Sequence, residues 1–257
     1  MSNQTSENNK RIAKNTLFLY FRMMFIIIVS LYTSRVILKT LGIEDYGIYN
    51  VVGGFVSMFG FLNTAMSATT QRYITFSLGT GNIAHLNKVF SNCVMTHFLI
   101  AFVVLLFAES VGLWFLFNKM VIPENRMTAA FIVFQCSVIS TMVLILSVPY
   151  NADIIAHEKM SAFAYISIVE VSLKLLIVFL LEIGGVDKLV LYGILLLLVQ
   201  CFIRFLYNSY CKRNFKETKF RIIWDFRLFK EMLSFAGWNL WGGSIKYNVY
   251  SWCEFIA

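Results

Sequence analysis

Residues 16–38 read TLFLYFRMMFIIIVSLYTSRVIL, an apolar run broken by two arginines and holding neither proline nor glycine. A soluble core helix needs less. The run matches the roughly 20 apolar residues that cross a hydrocarbon core about 30 Å thick. Arg22 interrupts it and no small-residue cleavage signature follows, so it is expected to remain as a membrane anchor rather than leave as a signal peptide. A polar bend, KTLGIEDYGIYN, comes next, and the chain returns through VVGGFVSMFGFLNTAMSA. The same alternation of apolar run and short polar bend recurs downstream.

The composition agrees. Of 257 residues, 58% are hydrophobic and 14% charged, against about 25% charged in soluble domains. Mean hydropathy is +0.70. Period-2 alternation is absent, which argues for helices rather than a membrane barrel. The net charge of +8 is carried by Lys and Arg between the apolar runs, a membrane-topology pattern and not a nucleic-acid face. The five cysteines are scattered without a CxxC pair, so neither a disulfide framework, a metal site nor a cofactor is expected.

Six spans can be drawn, at about 15–38, 46–69, 92–117, 127–148, 162–182 and 189–207, with a seventh starting near Leu233 and running to Ala257. The chain then divides into a disordered cytoplasmic tail (1–14), a six-helix lobe (15–208), a basic cytoplasmic linker (209–232) and the start of a second lobe (233–257). Loops with Gly79 and Gly81, and with Gly184 and Gly185, read as turns, and Pro149 is expected to end the fourth helix. In the linker, Asp225 reads as an N-cap, with Phe226, Phe229 and Leu233 on one stripe of an interfacial helix suited to anionic lipid. With the N-terminus in the cytoplasm, Lys10, Arg11, Lys14, Arg72, Lys88, Lys159 and the cluster from Lys212 to Lys230 share one side. Only Arg35, Lys39, Lys119, Arg126 and Lys188 lie on the other.

The bend carries a resemblance. Arg35, Leu41, Gly42, Glu44, Asp45, Tyr46, Gly47 and Tyr49, followed by a second helix closing in ATTQRYI at 68–74, resemble the opening of bacterial polysaccharide (O-antigen) flippases. These belong to the multidrug/oligosaccharidyl-lipid/polysaccharide exporter superfamily. Only this opening is motif-like; downstream the likeness rests on segment order. It implies an all-α polytopic membrane protein: the six-helix N-terminal lobe of a MATE-like two-lobe transporter, plus the start of a seventh helix. It further implies alternating-access export of an undecaprenyl diphosphate-linked oligosaccharide across the bacterial cytoplasmic membrane in polysaccharide biosynthesis, with no enzyme activity. The implied partners are the lipid bilayer, that substrate and a polysaccharide polymerase. Because the family carries two lobes, an inactive fragment is one alternative.

Ionisable groups inside spans are costly and usually face a cavity or a partner. Glu170 and Lys174 share one face of the fifth span at i, i+4. They read either as a structural ion pair or as the lining of a hydrated cavity in which Lys174 offers charge to substrate. Arg22 lies about 10 Å into the first span at 1.5 Å per residue. It either snorkels to the headgroups or faces the lumen, where the resemblance places cations against a diphosphate. Arg35 and Arg204, near span ends, read as anchors or as further substrate contacts. Arginine suits phosphate through its bidentate donors and permanent charge. Asn63, Thr64, Gln135 and Gln200 could meet sugar hydroxyls, although such groups also bond between helices.

Other classes find less support. A cation-coupled drug exporter would use buried carboxylates, and Glu170 reads as the sole deep acid, already matched by Lys174. A membrane glycosyl- or acyltransferase would need acids or histidines at the outer rim, where Glu44, Asp45, Glu124, Glu182 and Asp187 sit in short loops. His85, His97 and His157 read as isolated, and no nucleophile elbow or nucleotide loop occurs.

Overall fold

The computed structural model describes residues 2–183, 187–218 and 225–238, and every regular element among them is helical. The helices are α1 (Ser2–Ser57), α2 (Gly60–Gly79), α3 (Ile83–Phe107), α4 (Leu113–Asn118), α5 (Met127–Ala156), α6 (Met160–Ile183), α7 (Lys188–Asn214) and α8 (226–238). Five helical segments are long and apolar enough to cross a membrane: Thr16–Ser57, Ile83–Asn118, Glu124–Ala156, Met160–Leu181 and Lys188–Asn214. Large apolar side chains cover their exteriors, among them Leu17, Met24, Ile28 and Leu31 on α1 and Phe202 and Phe205 on α7. A water-exposed surface of that kind is untenable at this scale, so lipid is the natural neighbour and the chain is a multi-pass membrane protein.

α1 is two helices meeting at Gly42, whose φ of 82° and ψ of 171° lie in a region essentially reserved for glycine. One residue therefore makes the bend. The limbs meet again: Ile37 and Leu41 join the same core as Ile48 and Val52, and Thr33 and Tyr49 line one cavity. The second limb is interrupted at Met58 and Phe59 before α2 resumes the path to Gly79. Helix also begins earlier than expected, at Ser2. The polar tail lacks proline and glycine, and extending a formed helix is far easier than nucleating one.

Helices outrun the expected spans elsewhere too. α3 starts at Ile83, not 92, because the turn is compressed into Thr80, Gly81 and Asn82. Gly81 takes φ 69°, and the Asn82 side chain caps α3 by accepting from the His85 N–H at 3.1 Å. Nor does Pro149 end its helix: α5 runs on to Ala156. Proline removes one donor and crowds the preceding turn. There the Arg204 guanidinium, reaching across from α7, donates to the Leu146 carbonyl. The carbonyl that proline deprives of its helical donor is that of Ile145, so the Arg204 bond braces the neighbouring carbonyl beside the gap rather than filling it.

α5 is the central post, packed against α1, α2, α3, α6 and α7. At one end Arg126 donates to Asp45 through Nε at 2.8 Å and through its second amino group, and to Asp187 at 2.6 Å. Lys188 reaches the Thr40 carbonyl beside it. At the opposite end Asn87 donates to the Glu217 carbonyl at 2.6 Å, and Lys88 pairs with Asp225 at 2.8 Å. Gly184 and Gly185 lie outside the described residues, as does the seventh span beyond Trp238. α8 is continuous through Leu233, where a domain boundary was drawn.

Candidate functional site

Between the first two limbs and α5, α6 and α7 lies a partly open cavity of about 490 Å³. Its wall carries Thr33, Tyr49, Asn63, Ser137, Ser140, Thr141, Lys174, Tyr192 and Gln200 among apolar side chains. A second space of about 370 Å³ adjoins it, lined by Ser30, Thr33, Tyr49, Ser167, Glu170, Lys174 and Tyr192. Thr33, Tyr49, Lys174 and Tyr192 border both, so Lys174 stands on the divide. The kink at Gly42 brings Thr33 and Tyr49 together here, and the close approach of Gly193 on α7 to Val133 on α5 shapes the wall.

Glu170 and Lys174 form an ion pair and also border the cavities. Lys174 Nζ donates to Glu170 Oε1 at 2.6 Å, and both side chains remain partly open to the cavities. Arg22 turns inward from α1: its guanidinium lies 4.5 Å over the Phe163 ring and donates to Ser167 Oγ at 3.3 Å. Its Nε is buried with no hydrogen-bond partner among the described residues. With Lys174 balanced by Glu170, Arg22 leaves this region one positive charge in excess.

The other candidates are distributed differently. Arg35 is exposed. Arg204 is occupied by Leu146 and lies 4.8 Å over the Tyr150 ring, which makes it a helix-bracing residue in this conformation. Asn63 and Gln200 line the large cavity, and Asn63 Oδ1 is buried without a hydrogen-bond partner among the described residues. Thr64 bonds back to the Gly60 carbonyl, and Gln135 donates to Glu109 at 3.2 Å. Arg72 rests on the Phe235 ring at 4.3 Å, so it meets α8 and not headgroups alone.

Two features escaped the sequence reading. Glu109 is a second acid within a span, set in the π-turn Ala108–Gly112 that joins α3 to α4. Glu170 is therefore not the sole deep carboxylate. Likewise His157 is not isolated: it lies between Asp153 and Glu217. The i, i+4 spacing of Asp153 and His157 was the available signal.

Fold and cavity together define a polytopic helical membrane protein built around a largely apolar cavity, set with polar side chains, on a central helix. No family model, curated protein or solved structure matches the chain.

Proposed function

We propose that this chain forms a lobe of a flippase that moves a lipid-linked, diphosphate-bearing oligosaccharide across the cytoplasmic membrane by alternating access. The observation carrying the reading is the cavity with Lys174 on its inner divide and Arg22 turned toward the same region. A pyrophosphate crossing an apolar layer needs fixed positive charge, and a sugar needs hydroxyl and amide partners of the kind Asn63, Ser140 and Gln200 offer. The resemblance in the Gly42 bend supplies the substrate class. On this reading the chain crosses the bilayer six times, and the second crossing runs from the Gly42 bend through α2. Contacts at the two bundle ends agree with that path, since Arg126 collects Asp45 and Asp187 while Glu217 and Asp225 gather at the other end.

On this reading the polar side chains bind and rearrange, and no bond is cleaved. Breaking the Lys174–Glu170 pair would free an ammonium for a phosphate oxygen, and repairing it would release the substrate. A second reading, a cation-coupled exporter of the same superfamily, draws on Glu109, although Gln135 already occupies that carboxylate.

The test is translocation of a labelled polyprenyl diphosphate-linked oligosaccharide in proteoliposomes. Lys174→Ala and Arg22→Ala should each reduce initial flux by about tenfold or more, as loss of a charged hydrogen bond worth about 1.5–3 kcal/mol predicts. Unchanged flux in both variants would remove the cationic cavity as the substrate site.

A further inference from the structure

At the end of the bundle remote from Arg126, α5 closes with Asp153 and His157 one turn apart, and the turn after α7 brings Glu217 against them. One ligand atom from each lies within 4.8 Å of the others. Asp153 is fully buried, and neither carboxylate oxygen has a hydrogen-bond partner among the described residues. Glu217 is 5% exposed, and its Oε1 faces His157 Nε2. Two carboxylates hidden to this degree require compensation of several kcal/mol each.

The imidazole explains what form it takes. His157 Nδ1 lies 3.0 Å from the main-chain carbonyl of Asp153, which can only accept. The ring proton therefore resides on Nδ1, as second-shell partners usually arrange for a metal-binding histidine. Nε2 then presents its lone pair to Glu217 Oε1 at 3.0 Å. That distance calls for a positive centre, either a second ring proton or a metal ion, and a metal ion would also serve the buried Asp153 carboxylate, whose ligand atom lies within 4.8 Å of the other two. The surroundings hold the geometry: Phe215 stacks on the ring at 4.0 Å, Thr218 bonds the Cys211 and Phe215 carbonyls, and Asn87 grips the Glu217 carbonyl.

We propose that Asp153, His157 and Glu217 bind one divalent transition-metal ion that fastens the inner end of α5 to the segment leading to α8. One imidazole and two carboxylates supply three N/O ligands and a charge of −2, the set that suits zinc or manganese over softer or alkali ions. A fourth position is left for water. The ion is structural here: it joins elements remote from the transport cavity and needs no substrate.

The 257-residue chain in detergent micelles, stripped with chelator, is titrated calorimetrically with ZnCl2 and separately with MnCl2. One equivalent should bind saturably, and Asp153→Asn and Glu217→Gln should each weaken binding by at least the roughly 10–100-fold that even an outer partner of a ligand costs. Glu217→Gln is the decisive variant, since the Asn87 bond goes to the main chain and survives the change. Its size-exclusion profile should match the parent, and zinc should raise the unfolding temperature of the parent but not of the variant. No saturable binding by the parent, or equal binding by Glu217→Gln, would overturn the site.

Discussion

Two glycines show how differently one methyl group acts in this bundle. At Gly42 nothing lies within 4 Å of an added Cβ, but the backbone sits at φ 82°. Gly42→Ala should therefore destabilise through the main chain, by about 1–3 kcal/mol. At Gly112 a Cβ would come within 2.7 Å of Phe134 and 2.8 Å of Phe55. Phe134 is fully buried and its ring has no space to retreat into. Gly112→Ala should cost a similar 1–3 kcal/mol or so through overpacking. Unfolding in detergent measures both, and a cycle with Phe134→Leu separates them, lessening the added cost of Gly112→Ala but not that of Gly42→Ala. The first glycine was legible in the sequence because a bend between apolar runs announces itself locally. The second was not, because its partners come from distant segments.

Among the elements, α8 has an N-terminus that was legible in its own residues. Asp225 caps it, accepting from the Arg227 and Leu228 N–H groups at 3.0 and 3.2 Å. Phe226 is 67% exposed and Leu233 45%, while Met232 and Ala236 are buried beneath. An apolar stripe is thus left outward on a helix whose other side is docked, as an interfacial element requires. The Lys88 ammonium, followed by the Leu228 N–H, holds the Asp225 carboxyl below the usual carboxylate range. A depressed folded value stabilises docking above the unfolded pKa of about 3.9, and that contribution fades as pH falls through the lower folded value. A nitroxide at the exposed position 234 (S234C) should become mobile only on such acidification, and Asp225→Asn should mobilise it at neutral pH. Mobility that ignores both changes would mean the cap does not hold the helix. What the residues of α5 could not announce was its continuation past Pro149. Proline reads locally as a stop, whereas the packing that surrounds α5 comes from five other helices distant in sequence.

At the scale of the molecule, hydropathy revealed the membrane class because burial in lipid acts on every residue of a span. Charge pairing across the bundle stayed hidden, since Arg126, Asp45 and Asp187 belong to three segments. Arg126→Met would leave two carboxylates facing each other. The triad is partly exposed, so the loss falls between that of a surface pair and a buried one, about 1–3 kcal/mol. Thermal unfolding in micelles would report it, and adding Asp187→Asn should recover part of the loss. No recovery would show that the two acids do not repel through the vacancy.

The central post touches nearly every other helix, yet its backbone ladder lacks a rung at Pro149, and the side chain a neighbour lends there lands on the next carbonyl along. A beam of this construction yields first at its missing rung. Whatever pulls on the lower half bends the column there, above Asp153 and His157 and below the wall of the cavity.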